Sequence, residues 1–280
     1  MQELVQSQRR RACDLAAAGF DKADFLCAEV RSRMFERLQL IDMQPQVILD
    51  LGSGTGASTA PLQQHFPQAL IVELDWSEPM LARATKASAN CICADGHLLP
   101  LADASVDVVV SNLMLPGCAD PAAVFMEVRR ILRSPGLFLF TTLGPDSLKE
   151  LRRAWAKIDR LPHVHDHDDM HIIGDVLVQA GFREPVMDVE MLTVNYREIA
   201  ALATDLRSMA ATNFARNRAR GLTTPRQWQE FTNYLEQNRT EAGKLPVTAE
   251  LITGQAWTGD PDVGVRMDDG EARFPISRLS

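Results

Sequence analysis

The apolar positions of this chain follow two periods. Val47-Ile48-Leu49, Ala69 to Leu74, Asn90 to Cys93, Val106 to Val110 and Leu137 to Thr142 are short aliphatic or β-branched runs, the pattern of buried strands. Between them the spacing changes to three and four: from Ala57 to His65, after the helix start Ser77-Glu78-Pro79 with Ser77 as N-cap, and from Ala122 to Leu132. Strands alternating with helices predict an α/β fold with a doubly wound, mostly parallel sheet. Two more strands are expected near Pro185 to Asp188 and Met191 to Tyr196.

Helical spacing also precedes the first strand. Residues 5 to 18 form one stretch, and Lys22 to Leu40 a second, in which Phe25, Leu26, Val30, Met34, Phe35 and Leu38 recur at three and four. These helices lie outside the strand–helix repeat, so they either cover a sheet face or form a lid. At the other end, the tail alternates around Asp268-Asp269-Gly270, which reads as a hairpin or a frayed extension. Pro275 confines it to an edge.

The first strand runs into Asp50-Leu51-Gly52-Ser53-Gly54-Thr55-Gly56. Glycines there mark backbone at positive φ or in close contact with a ligand. Strand, glycine turn and helix together make a nucleotide-type site, with bare amides at a helix N-terminus. The spacing is Gly-x-Gly-x-Gly, not the Gly-x-Gly-x-x-Gly of a dinucleotide site. Asp75 ends the second strand and can accept two hydrogen bonds from a ribose diol. Asp95 follows the third and can accept from an exocyclic amine. Both fall on the sheet edge where ligands of open parallel sheets bind.

Composition narrows the class. The chain has 280 residues, 46% of them hydrophobic, enough for one large domain or one with an added lobe. A net charge of −8 argues against general nucleic-acid binding. No apolar run is long enough for a membrane span. Met1 to Arg11 is polar and basic, without the apolar core of a secretory signal. The five cysteines, Cys13, Cys27, Cys91, Cys93 and Cys118, lack metal spacing and read as core thiols, which suggests a reducing cytoplasm.

Two clusters remain. His163, His165, Asp166, His167, Asp168, Asp169 and His171 invite a metal hypothesis, with His167 and His171 at i, i+4. The stretch follows Pro162, so the expected reading is a capped loop with no metal, Asp168 or Asp169 starting a helix that ends near Gly181. Leu206 to Gln229 contains no acid but five arginines: Arg207, Arg216, Arg218, Arg220 and Arg226. That island is either a docking face for an acidic partner or a solvated helix surface.

Four segments together resemble the class I S-adenosylmethionine-dependent methyltransferases: Asp50 to Gly56, Asp75-Trp-Ser-Glu-Pro-Met-Leu, Ala94-Asp95-Gly-His-Leu-Leu-Pro-Leu and Val106-Asp-Val-Val-Val-Ser-Asn. The second half narrows the likeness. Phe140-Thr-Thr-Leu-Gly-Pro-Asp-Ser-Leu-Lys-Glu-Leu, Asp205-Leu-Arg-Ser-Met-Ala-Ala-Thr-Asn and Gly243-Lys-Leu-Pro-Val-Thr-Ala-Glu resemble the malonyl-acyl carrier protein O-methyltransferases of biotin synthesis. A related family, the methyltransferase-like assembly factors of respiratory complex I, has similar Asp-Phe-Leu and Glu-Val segments, here Asp24-Phe25-Leu26 and Glu29-Val30. A non-catalytic cofactor-binding module is the third alternative.

The resemblance implies S-adenosylmethionine held by Asp50, Gly52, Gly54, Gly56, Asp75, Asp95 and Asn112. It implies a lid over residues 1–45, a cofactor-binding methyltransferase domain over 46–200 and a helical substrate lobe over 201–258, with 259–280 as the tail. The implied acceptor is a malonyl group on acyl carrier protein or coenzyme A. A carboxylate is already ionised at neutral pH, so positioning rather than acid–base chemistry is expected. Candidates for that positioning are Phe20, where the family usually has tyrosine, and Arg207, Arg216 and Arg220. Two departures stand out: Leu115-Pro116-Gly117-Cys118 where the family commonly reads Leu-Gln-Trp-Cys, and Leu137 in place of a second glycine.

Overall fold

Three helices precede the first strand: α1 (Gln6–Ala16), α2 (Phe20–Ala23) and α3 (Phe25–Leu38). In this computed structural model the described residues are 5–84, 90–219 and 221–259, with the backbone of two short strands at 266–268 and 271–273. The single helix expected from Lys22 to Leu40 starts earlier and breaks at Asp24, where the backbone leaves the helical region. Asp24 Oδ2 instead accepts from Arg31 Nη2 at 2.9 Å. α3 buries Val30, Met34 and Leu38. Met34 and Leu38 pack on Ile48, Ile71, Val108 and Leu139 of one sheet face. Each such side chain contributes about 1.5–3 kcal/mol.

The repeat follows: β1 (Val47–Leu51), α4 (Thr59–His65), β2 (Leu70–Asp75), α5 (Glu78–Ala84), β3 (Cys91–Cys93), β4 (Val106–Asn112), α6 (Pro121–Ile131) and β5 (Leu132–Leu143). Local chemistry explains the helix starts. Asp120 caps α6 by accepting from the Ala123 N–H at 3.2 Å, and Pro121 occupies its first turn. Ser77 stands just before α5, where the cap is expected, its carbonyl accepting from the Leu81 N–H at 3.2 Å, while its hydroxyl donates to Asp14 Oδ1 at 2.6 Å and ties α5 to α1.

The chain continues through α7 (Lys149–Trp155), α8 (Met170–Gln179), β6 (Arg183–Tyr196), α9 (Ile199–Ser208), α10 (Pro225–Glu236), β7 (Leu245–Thr258), β8 (Arg266–Asp268) and β9 (Glu271–Arg273). Asp169 caps α8, its side chain accepting from the His171 N–H. The seven-stranded sheet has the order β3-β2-β1-β4-β5-β7-β6. β1 to β5 pair in parallel, and β7 runs antiparallel to both β5 and β6. The doubly wound, mostly parallel sheet expected from the periodicity is present.

Two expectations fail here. The strands expected at 185–188 and 191–196 are one continuous strand, β6. Residues 245–258, placed in a helical lobe, form β7 instead, inserted between β5 and β6. Among the described residues of that stretch, α9 and α10 are the helices. Leu245, Val247, Ala249 and Leu251 alternate inward at the start of β7, the strand period. Farther along, Gly254 lets β7 pass against β5: a Cβ there would lie 2.3 Å from Phe140 Cζ. Within the tail, β8 and β9 pair antiparallel.

Candidate active site

The glycine turn leaves β1 with Gly52, Gly54 and Gly56 at φ of 78°, 58° and 78°. Each position has a different reason for glycine. A Cβ on Gly52 would sit 2.5 Å from Met114 Cβ, so the segment after β4 closes directly on the turn. A Cβ on Gly54 would meet nothing within 4 Å, because that backbone faces a cavity. A Cβ on Gly56 would lie 2.9 Å from both Ala84 Cβ and the Glu73 carboxylate, behind the turn.

The cavity has a volume of about 140 Å³ and opens at the carboxyl ends of the parallel strands. Gly52, Gly54, Asp75, Asp95, Asn112 and Phe20 all line it. Asp75 Oδ2 accepts from the Gly54 N–H at 3.0 Å, and Oδ1 from the Ser77 N–H at 2.8 Å. Burial raises the Asp75 pKa, against the lowering by those two amides and the Arg9 charge. Burial also acts to raise the Asp95 pKa, but the His97 N–H and ring outweigh it and hold it below the usual range. Asp95 Oδ1 accepts from the His97 N–H at 3.0 Å and contacts Nδ1 at 2.6 Å. Asn112 is held from two sides, donating to the Cys27 carbonyl at 2.9 Å and accepting from Thr141 Oγ1 at 2.8 Å.

Asp50 and Gly56 are not brought to the cavity. Asp50 is 1% exposed, and its Oδ2 has no hydrogen-bond partner. Burial pushes its pKa up to about 7, against a hydrogen bond from Ser58. Both residues support the turn from behind, where Thr59 Oγ1 donates to the buried Glu73.

A second, apolar cavity of about 340 Å³ adjoins the first. Leu148, Trp155, Leu202, Leu206, Phe214 and Phe231 are among its walls. Arg9, Cys27, Leu113, Gly117, Met209 and Ala210 line both cavities, so the two meet at these residues. Of the arginine candidates, Arg207 lines only the second cavity, and its Nη1 donates to the Ala203 carbonyl at 3.3 Å. Arg216 is exposed and lines neither cavity, and Arg220 lies outside the described residues.

Several residues at this junction were missed by sequence reasoning. Arg9 is one. It donates to the carbonyl of Met114, 105 residues away, at 3.3 Å, and its guanidinium lies 5.2 Å from the centre of the Trp76 ring. No local spacing signals such a contact. The cysteines also differ from a uniform set of core thiols: Cys118 is buried, Cys93 is exposed, and Cys13 and Cys27 line the first cavity.

The histidine cluster is dispersed into separate roles. His163 stacks on Trp155, with centroids 3.9 Å apart, and bonds to Asp159. His165 meets the Thr212 carbonyl and the Phe214 N–H, both at 3.0 Å. Among the described residues no group of three or more His, Cys, Asp or Glu is arranged to hold a metal ion. No described helix is long and apolar enough to cross a membrane.

Known proteins share this sequence and fold. Residues 49–140 match the family described as "Methyltransferase domain". The malonyl-[acyl-carrier protein] O-methyltransferase of Gallionella capsiferriformans is 41% identical, over 94% of this chain and 95% of its own. The protein of the same description from Laribacter hongkongensis is also 41% identical, over 95% and 93%. Among solved structures, the YcgJ protein of Bacillus subtilis aligns with a TM-score of 0.59 at 12% identity, over 81% of this chain and 98% of its own. Phosphoethanolamine N-methyltransferase 2 of Haemonchus contortus, solved with S-adenosylhomocysteine, aligns at 0.50 and 16% identity, over 82% of this chain and 53% of its own. These structures share the methyltransferase fold. By its identity to those relatives over nearly its full length, the chain belongs to the malonyl-acyl carrier protein O-methyltransferase family.

Proposed function

We propose that this protein transfers a methyl group from S-adenosylmethionine to the free carboxylate of malonyl-acyl carrier protein, in biotin (pimeloyl) synthesis. The observation that carries this reading is the meeting of two cavities: one at the glycine turn, walled in part by the carboxylates of Asp75 and Asp95, and a larger apolar one beside it.

The first suits a sulfonium nucleoside. Two carboxylates, Asp75 and Asp95, stand at strand ends and favour a ribose diol and an exocyclic amine over a phosphate. The bare Gly54 backbone permits close approach, and the buried Ser53 hydroxyl within the turn lacks a protein partner. When bound, the cofactor supplies an electrophilic methyl, so a carbon–oxygen bond forms as the carbon–sulfur bond breaks and its electron pair stays on sulfur. The acceptor oxygen carries no proton at neutral pH, so no general base is needed. The protein's task is alignment, worth roughly 7–11 kcal/mol. α1 and α2 act as the lid, because Gln6, Arg9, Cys13 and Phe20 wall the first cavity. The apolar cavity takes the acyl arm, with Trp155, Phe231 and Leu206 excluding water.

An acidic carrier protein needs a basic face on a protein whose net charge is −8. The exposed Arg10 and Arg11 on α1 and the exposed Arg207 and Arg216 supply it. Arg218 joins the two segments by donating to Gln8 and to the Ala215 carbonyl.

Mass spectrometry of malonyl-acyl carrier protein after incubation with this protein and S-adenosylmethionine tests the reading. The expected result is a gain of one methylene's mass, absent with acetyl-acyl carrier protein. No gain, with cofactor binding intact, overturns the assigned acceptor.

A further inference from the structure

We infer that Arg9 is the anion anchor of the acceptor, holding the carboxylate to be methylated at the junction of the two cavities. This rests on the proposed methyl transfer to a malonyl carboxylate.

The reacting oxygen and the methyl have to meet where the two cavities join, so a cation that orients the carboxylate has to reach that junction. Among the described residues that line either cavity, the permanent cations are Arg9 and Arg207, and Arg9 alone lines both. The histidines do not replace it. His165 and His167 are held toward the neutral form, first by burial, His167 down to about 4. His97 is bound to Asp95, and His163 to Asp159.

The guanidinium is placed by packing rather than by an ion pair. Nη2 donates to the Met114 carbonyl at 3.3 Å, and the group lies over the Trp76 ring at 5.2 Å. Among the described residues no salt bridge reaches Arg9, and no hydrogen bond uses its Nε or Nη1. Either of them can pair with the second N–H of Nη2 in a two-pronged grip on a carboxylate.

Gly117 is the other half of the device. A Cβ on Gly117 would lie 1.4 Å from Arg9 Cζ and 1.7 Å from Nε. The guanidinium therefore occupies the space that any side chain at 117 would fill. Gln6 holds the same turn from α1, its Nε2 donating to the Gly117 carbonyl at 3.3 Å. The departure at Pro116-Gly117 thus opens a slot for a cation delivered from α1.

The test uses the full-length protein and three measurements: kcat/KM with malonyl-acyl carrier protein, S-adenosylhomocysteine affinity by calorimetry, and the melting temperature. For Arg9→Ala, kcat/KM is expected to fall about 30- to 100-fold, the loss of a charged hydrogen-bonded contact, with S-adenosylhomocysteine affinity within about threefold of wild type. Added guanidinium ion is expected to restore part of the activity. Gly117→Ala keeps the charge but displaces the guanidinium, and is expected to lower kcat/KM in the same direction without loss of folding. Turnover by Arg9→Ala within threefold of wild type overturns the inference, and so does a parallel loss of S-adenosylhomocysteine affinity, which would assign Arg9 to the cofactor. Absence of ester from the wild type overturns the acceptor assignment and the anchor together. An active wild type with an unaffected Arg9→Ala overturns the anchor alone.

Discussion

The Gly54 N–H donates to Asp75 Oδ2 at 3.0 Å, joining the glycine turn after β1 to the end of β2. One bond thus sets the spacing between the backbone that faces the cavity and the carboxylate that walls it.

Asp75→Asn removes the charge while keeping the shape. S-adenosylhomocysteine affinity is expected to drop about tenfold or more, the scale of a charged hydrogen bond. Calorimetry checks this, and an unchanged dissociation constant would remove Asp75 from the cofactor site. Stability is expected to fall as well, because Asn offers one acceptor oxygen to the two N–H groups, of Gly54 and Ser77, that Asp75 accepts from.

Gly56→Ala separates support from binding. The residue sits at φ +78° and its Cβ would meet Ala84 and Glu73 at 2.9 Å. Strain of about 1–3 kcal/mol is expected, read as a melting temperature lower by several degrees. Because Gly56 does not line the cavity, the folded fraction should bind S-adenosylhomocysteine with near wild-type affinity.

Asp50 makes a pH-dependent contribution of defined sign. Burial raises its folded pKa from 3.8 to about 7. The folded state therefore holds a proton that the unfolded state releases as pH rises above about 4. The contribution is fully present below that point and is lost as pH rises to about 7, up to roughly 4 kcal/mol. Asp50→Asn cannot ionise, so its melting temperature relative to wild type is expected to improve from pH 5 to pH 8. A flat difference across that window contradicts the burial argument.

Charge reversal on the basic face tests docking. Arg10→Glu combined with Arg216→Glu is expected to raise KM for malonyl-acyl carrier protein several-fold at low salt, with the effect shrinking as salt is added. Turnover of malonyl-coenzyme A, which lacks the protein partner, serves as the control and is expected to change little. Equal losses on both substrates would place these arginines in the active site rather than on a docking face.

Much of the cavity at the glycine turn was legible from single strands and turns. The runs at Val47, Leu70, Cys91 and Val106 each announce a buried strand, and Asp75, Asp95 and Asn112 stand at strand ends because the parallel sheet puts every carboxyl end on one edge. Asp50 shows the limit of that reasoning. It precedes the glycine turn by two residues, yet its carboxyl points into the core, since alternate residues of a strand face opposite sides. The acceptor side was less legible. The island of arginines drew attention by composition, while the cation at the junction comes from α1.

By itself, then, the amino-acid sequence determined the alternation of strands and helices, the glycine turn and the carboxylates beside it. These follow from periods of two and 3.6 residues and from the backbone freedom of glycine, all local properties. Only the tertiary structure decided that β7 would insert between β5 and β6, that the Ser77 hydroxyl would bond Asp14 of α1, and that Arg9 would fill the space left open at Gly117. Each joins segments distant in sequence, and such a pairing is selected by how surfaces and charges fit once the chain has packed, which no local pattern encodes.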